Sequence, residues 1–190
     1  MTEGLIAVYD ACVLYPMILR DLLLRLATSE LFSAKWSNQI HEEWIRNVLK
    51  NRPDLSREKL DRVRGLMDQS TLDCIVNDYE HLISKLNLPD PDDRHVLAVA
   101  LQSKASIIVT FNLKDFPSNI LNEYQIEALH PDDFIQTLAE IDRDKVLYSV
   151  CTAISSLKKP PINLDEYTWI LEKHGMIKTS LLLRAHRELF

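Results

Sequence analysis

No run in this chain is long and apolar enough to cross a bilayer, and the first residues carry neither the basic start nor the cleavage site of a signal peptide. That leads us to expect a cytoplasmic protein with no membrane partner. Cysteine is scarce as well. Cys12, Cys74 and Cys151 are odd in number, far apart and set in apolar stretches, so they read as reduced core residues and exclude a disulfide framework or a zinc site. Residues 1–19 contain no Lys or Arg. There is no internal repeat, no low-complexity tract, and no strand pattern after Asp142.

What is present is an ordinary globular composition, 46% hydrophobic and 26% charged over 190 residues, enough for one domain and a small appendage. The net charge of −6 is unevenly spread. Residues 20–64 carry ten basic and seven acidic residues, residues 65–145 six basic and fifteen acidic, and residues 146–190 six basic and four acidic. A small RNA contact fits this distribution, and a broad basic footprint does not.

Periodicity predicts a strand at Leu5–Tyr9, with Pro16 in the first turn of a helix carrying Leu19, Leu22, Leu23 and Leu26. Leu31–Trp36 reads as a second strand, followed by a helix capped by Ser37 and interrupted at Arg52–Pro53. A third helix spans about Ser56 to Met67. Leu72–Val76 reads as another strand and Tyr79–Leu86 as a short helix. A proline-flanked acidic loop, Leu88-Pro-Asp-Pro-Asp-Asp93, then opens a helix through Leu101. Ser106–Thr110 is a β-branched run suited to a buried parallel strand, and Gln125–Leu129 is the last strand. Pro131 starts a further helix. Alternating strands and helices imply an α/β fold, a parallel sheet of four to five strands flanked by helices. We place this sheet domain at 1–141. Residues 142–190 form an all-helical extension in which Val146–Leu157, Asn163–Lys173 and Ile177–Leu189 are helices. The last of these is expected to bury Leu181, Leu182, Leu183, Ala185 and Leu189, while Asp165, Glu166, Glu172 and Glu188 are solvated.

Four acids stand where a parallel sheet builds its sites. Asp10 ends the first strand, Asp115 follows the strand at Ile107–Thr110, Asp93 opens the helix before that strand, and Glu43 edges the apolar stripe of the second long helix. A lone buried carboxylate costs several kcal/mol, and four together repel unless a hard cation such as Mg²⁺ or Mn²⁺ joins them. Glu42 is an alternative to Glu43, and Asp90 and Asp92 are alternatives to Asp93. Thr110 and Asn112 are candidate accessory contacts to the site or to phosphate. His41 and His95 read as packing or surface histidines. Arg20, Arg46, Lys50 and Arg52 are candidates for gripping RNA phosphates, although each taken singly reads as a solvated charge.

The stretches V-Y-D-A-C-V-L-Y-P around Asp10, W-S-N-Q-I-H-E-E-W around Glu43, D-P-D-D-R-H-V-L-A-V-A around Asp93 and I-I-V-T-F-N-L-K-D-F around Asp115 occur in that order over residues 5 to about 130. Together they resemble a PIN domain, and more narrowly the VapC-type toxins of bacterial type II toxin–antitoxin pairs, in the subgroup with a C-terminal helical region. The resemblance implies a Mg²⁺- or Mn²⁺-dependent endoribonuclease. It implies Asp10, Glu43, Asp93 and Asp115 as catalytic metal ligands, RNA as substrate, and a cognate antitoxin that holds the enzyme inactive. A homodimer or a toxin–antitoxin hetero-oligomer is expected. Phe111 departs from the pattern, standing where many relatives carry Arg, so that contact is not carried over. The alternatives are a PIN nuclease of RNA processing or decay without an antitoxin, and a non-catalytic PIN binding module. A response-regulator receiver would need an acidic pair on the first strand, and a haloacid-dehalogenase phosphatase an acid at position 12, which is Cys.

Overall fold

The computed structural model describes residues 4–190. Its sheet consists of β1 (Ile6–Tyr9), β2 (Ser33–Lys35), β3 (Ile107–Val109) and β4 (Glu127–Leu129), all parallel, in the order β2-β1-β3-β4. The helices are α1 (Ala11–Leu14), α2 (Met17–Ala27), α3 (Asn38–Asn51), α4 (Arg57–Ser70), α5 (Glu80–Ile83), α6 (Arg94–Gln102), α7 (Ser118–Leu121), α8 (Pro131–Ser156), α9 (Leu164–Lys173) and α10 (Ile177–Ala185). The chain therefore follows the α/β reading of its periodicity. β1 pairs with β2 through Val8 opposite Lys35 and with β3 through Val8 opposite Ile108. It is thus the strand from which the sheet grows in both directions, and the crevice beyond its carboxyl end is where such sheets place ligands.

The core explains why the strands are so apolar. Ala7, Val8, Tyr9, Ile108 and Val109 are fully buried, as parallel strands with helices on both faces must be. The Tyr9 ring stacks on Trp36 at 6.1 Å, and its hydroxyl donates to the Leu23 carbonyl at 3.0 Å, so the one polar atom of a buried side chain is satisfied. Phe32 meets Phe134 edge-on at 5.0 Å, tying the start of β2 to α8. Ser37 caps α3 by accepting from the Ile40 N–H at 3.3 Å, and Ser56 caps α4 by accepting from Lys59 at 3.4 Å.

Several elements are shorter than their patterns suggest. The strand expected at Leu72–Val76 contracts to one parallel bridge, Trp36 with Ile75, held by Trp36 N–H to the Cys74 carbonyl and Val76 N–H to the Trp36 carbonyl. Asp73 at φ 51° and Asp78 at φ 60° take left-handed backbone on either side of that bridge, and extended pairing cannot pass through such residues. The Tyr79–Leu86 helix is reduced to the single turn α5. Pro16 sits at the N-cap of α2 instead of inside its first turn. α8 runs through residue 142, with non-helical backbone at Asp142 (φ −154°, ψ 94°).

In the C-terminal region α9 packs against α2 and α10, and α10 packs on α8 and α9. The buried side of α10 is not the leucine-rich one. Met176, Thr179, Ser180 and Leu183 are buried, whereas Leu181 is 60% and Leu189 54% exposed. Polar chemistry overrides hydrophobicity here. Asp132, buried at the start of α8, accepts from the Lys178 N–H (2.8 Å), the Thr179 N–H (2.8 Å) and the Thr179 hydroxyl (2.7 Å), capping α10 from 46 residues away. The tail acids are used locally. Asn163 and Glu166 form a reciprocal capping box on α9, Glu172 pairs with Arg184, and Asp165 pairs with Arg187.

Because Asp132 answers three donors in a buried setting, Asp132→Ala should lower unfolding stability by about 2–4 kcal/mol, and Asp132→Asn by less. Urea titrations of both variants read this directly, and an Ala variant as stable as wild type would remove the cap from the account.

Candidate functional site

Asp10 leaves β1 with its N–H still donating to the Val109 carbonyl at 3.1 Å, so the ladder carries its backbone into the crevice. It occupies the N-cap position of α1, but its side chain makes no capping bond, and the carboxylate is free for another use. Burial pushes its pKa up, and hydrogen bonds from Cys12 and Thr110 pull it back. Thr110, completely buried at the end of β3, donates its hydroxyl to Asp10 Oδ2 at 2.6 Å and accepts from the Asn112 N–H at 3.0 Å. Cys12 donates its thiol to the same Oδ2 at 3.0 Å and accepts from the Phe111 N–H at 3.3 Å. Two adjacent strand ends thus hold one carboxylate oxygen, and among the described residues no side chain donates to Oδ1. Cys12 therefore belongs to the site and not only to the core. Its position two residues after Asp10, on the first turn of α1, was the signal available in the sequence.

Glu42 and Glu43 separate cleanly. Glu42 is gripped by Arg57 at 2.7 Å and by Arg64 at 3.1 Å, and these guanidinium contacts hold its carboxyl below the usual range. Glu43 lies one residue on, about 100° around the helix, and faces the opposite partner, His95, whose Nε2 is 3.2 Å from Glu43 Oε2. Its charge raises the pKa of Asp10 and of Asp93, so it lies within electrostatic reach of both. His95 is buried, and its Nδ1 has no partner among the described residues. It is neither at the surface nor merely packing. His41 is the packing histidine: its Nδ1 accepts from Trp44 Nε1 at 2.9 Å and its Nε2 sits 2.9 Å from Asp68.

The acidic loop also resolves into distinct roles. Asp90 caps the short 3-10 turn Pro91–Asp93 by accepting from the Asp92 N–H at 2.9 Å, and Asp92 is exposed. Asp93 is buried, with Oδ2 unpartnered. Burial, then Asp10, Asp90, Asp115 and Glu43, push its pKa to about 7. Asp115 sits half-buried on the 3-10 turn Leu113–Asp115 after β3. Asn112 contributes its backbone N–H to Thr110, while its side chain is exposed. Phe111 packs edge-on against His130, at 5.1 Å, beside the end of β4. Arg20 is buried, not solvated: its guanidinium donates to the Leu14 carbonyl at 2.6 Å and covers the Trp44 ring at 4.6 Å, and burial lowers its pKa to about 10.

Asp93 therefore lies within electrostatic range of Asp10, Glu43 and Asp115, and Asp10 within range of Glu43. Among the described residues, however, no three His, Cys, Asp or Glu side chains are gathered into a ready-made metal cage. Like charges without a counterion hold apart. A buried carboxylate oxygen with no donor, in the field of other acids, is an environment that a hard divalent cation satisfies.

The raised pKa of Asp93 sets a pH dependence. The stability that its neutral form contributes is present in full below the unfolded carboxyl pKa of about 3.9. It is lost as the pH climbs through the folded value of about 7. Metal-free protein should melt at a lower temperature at pH 8 than at pH 5.5, and Asp93→Asn should flatten that decline. A melting-temperature difference between wild type and variant that is equal at both pH values would show that Asp93 is not the titrating group.

Comparison with known proteins agrees with this architecture. The PIN domain family matches residues 7–114, and the VapC50 C-terminal domain matches residues 131–185. Over 83 residues, 44% of this chain, the sequence is 40% identical to a Mycobacterium tuberculosis protein named "Putative ribonuclease VapC50". The match covers 48% of that protein, so the chain spans about half the length of the curated relative it matches. No solved structure matches. With the family match covering more than half of the sequence, and with the parallel sheet and C-terminal helices in place, the chain belongs to the PIN domain family and carries a VapC50-type C-terminal extension.

Proposed function

We propose that the protein is a metal-dependent endoribonuclease and the toxin of a type II toxin–antitoxin pair. The observation that carries the nuclease reading is Asp93, buried with an unpartnered oxygen and pushed up by Asp10, Asp115 and Glu43. The toxin reading rests on the family and on the relative named as a VapC50 ribonuclease.

Asp10, Glu43, Asp93 and Asp115 would hold the divalent cation, Mg²⁺ or Mn²⁺. Bound there, it would supply a lowered pKa for an attacking water and charge neutralisation at the scissile phosphate. The chain's own residues prepare the site. Thr110 and Cys12 fix Asp10 through Oδ2. The Asn112 N–H in turn holds the Thr110 hydroxyl. The buried residues Val8, Tyr9, Ile108 and Val109 at the carboxyl ends of β1 and β3 keep either strand end from drifting. The division into a sheet domain at 1–141 and a helical extension at 142–190 belongs to the same proposal, with the break in helical backbone at Asp142 in its favour.

Purified protein should cleave RNA with Mg²⁺ or Mn²⁺ and stop in EDTA. Asp10→Asn and Asp93→Asn should each lower kcat/KM by about 100-fold or more. Thr110→Val, which removes the hydroxyl's hold on Asp10 together with the acceptor for the Asn112 N–H, should cost about 10-fold in Mn²⁺ affinity or rate. Cleavage that persists in EDTA would overturn the metal site. For the toxin reading, induction in the native host without its antitoxin should arrest growth, and Asp115→Asn should relieve the arrest. Wild-type and variant inductions that are equally harmless would remove that reading while leaving the nuclease standing.

A further inference from the structure

On α3 two cations stand without an acidic partner. Arg46 and Lys50 are both exposed, and neither forms an ion pair among the described residues. This is unusual for Arg46, because Glu42 stands four residues before it, the spacing at which a helical Glu–Arg pair forms readily. Glu42 is instead consumed by Arg57 and Arg64 from α4, which leaves Arg46 without that partner. The neighbouring cations are otherwise engaged: Arg20 is buried over Trp44, Arg52 pairs with Asp54, and Arg25 with Asp21. Lys50 lies seven residues after Glu43, two turns along nearly the same line of the helix, and Arg46 lies between them on the adjoining side. At 1.5 Å per residue, the backbone positions of Arg46 and Lys50 lie about 4.5 and 10.5 Å along the axis from that of Glu43.

We propose that this edge of α3 is the track by which single-stranded RNA enters the acidic site, its phosphates resting on Arg46 and Lys50 before reaching Glu43. The inference rests on the nuclease reading above and adds to it the direction of the strand. A chain with net charge −6 and four acids at its centre repels a polyanion, so approach requires local cations that no carboxylate has already neutralised. Arg46 and Lys50 meet that condition on the helix that carries Glu43, and Lys114 meets it on the turn that carries Asp115. Lys59 and Arg62 on α4 are also unpaired among the described residues, but they lie on a different helix and serve as the control.

The test is the binding of a fluorescein-labelled single-stranded RNA oligonucleotide by the full chain in EDTA, followed against salt concentration. Each phosphate contact on a single strand contributes about 0.7 to the slope of log K against log salt. The Arg46→Ala/Lys50→Ala double variant should bind more weakly and lose about 1.4 from that slope. Lys59→Ala/Arg62→Ala should retain the wild-type slope. Circular dichroism melts would verify that both variants fold, and Arg46→Lys should recover most of the affinity lost by Arg46→Ala. If wild type cleaves RNA with Mn²⁺ and the Arg46/Lys50 double variant keeps the wild-type slope, the track is overturned and the nuclease reading survives. A slope that depends on Arg46 and Lys50 in a protein that cleaves nothing would support the track and overturn the nuclease reading.

Discussion

The organising constraint of this molecule is uncompensated negative charge at the carboxyl end of a buried parallel sheet. Asp10 continues directly from β1, the strand that pairs on both sides, so its carboxylate emerges where the strand order diverges. Asp115 comes from the turn after the neighbouring β3, Asp93 from the start of the helix that precedes β3, and Glu43 from the helix that follows β2. Each acid is delivered by a different element, and burial on both faces of the sheet holds those elements in place. Gathering four such charges is unfavourable by itself. The cost appears in Asp93, whose pKa is pushed to about 7 by burial first and by the neighbouring acids second.

The surroundings divide that cost unequally. Asp10 receives two side-chain donors on one oxygen, from Thr110 and Cys12, which favour its charged form. Glu43 has His95 at 3.2 Å. Asp93 has an oxygen with no donor at all. A site in which Asp10 and Glu43 are tethered while the buried Asp93 keeps an open oxygen suits a cation-binding role, since a fully bonded network would have no remaining use for a ligand.

The C-terminal helices solve a different problem. α9 and α10 bury Tyr167, Leu171 and Leu183 while leaving Leu181 exposed. Buried polar contacts add to that packing: Asp132 caps α10, and the Ser180 hydroxyl donates to the Thr168 carbonyl at 3.1 Å. Capping of this kind is directional, so it sets the orientation of α10 more sharply than a greasy face would.

Sequence alone was sufficient for the fold class and most element positions, and it nominated the four acids on which the proposed site rests. Short apolar and β-branched runs identify the parallel strands, serine caps mark α3 and α4, and each acid sits at a recognisable strand end or helix edge. It was insufficient wherever a residue's partner lies far along the chain. Glu42 and Glu43 are adjacent in sequence, and Arg57 and Arg64 decide which of them turns away from the site. Cys12 and Thr110 are 98 residues apart and meet only because β1 and β3 are neighbours. Arg20 looked like a surface charge until α1 and Trp44 closed around it. Local pattern determines which elements form and where the chemistry-bearing residues fall along them. Only tertiary packing decides which of those residues share an environment, because burial, charge repulsion and hydrogen-bond pairing are properties of the space between elements.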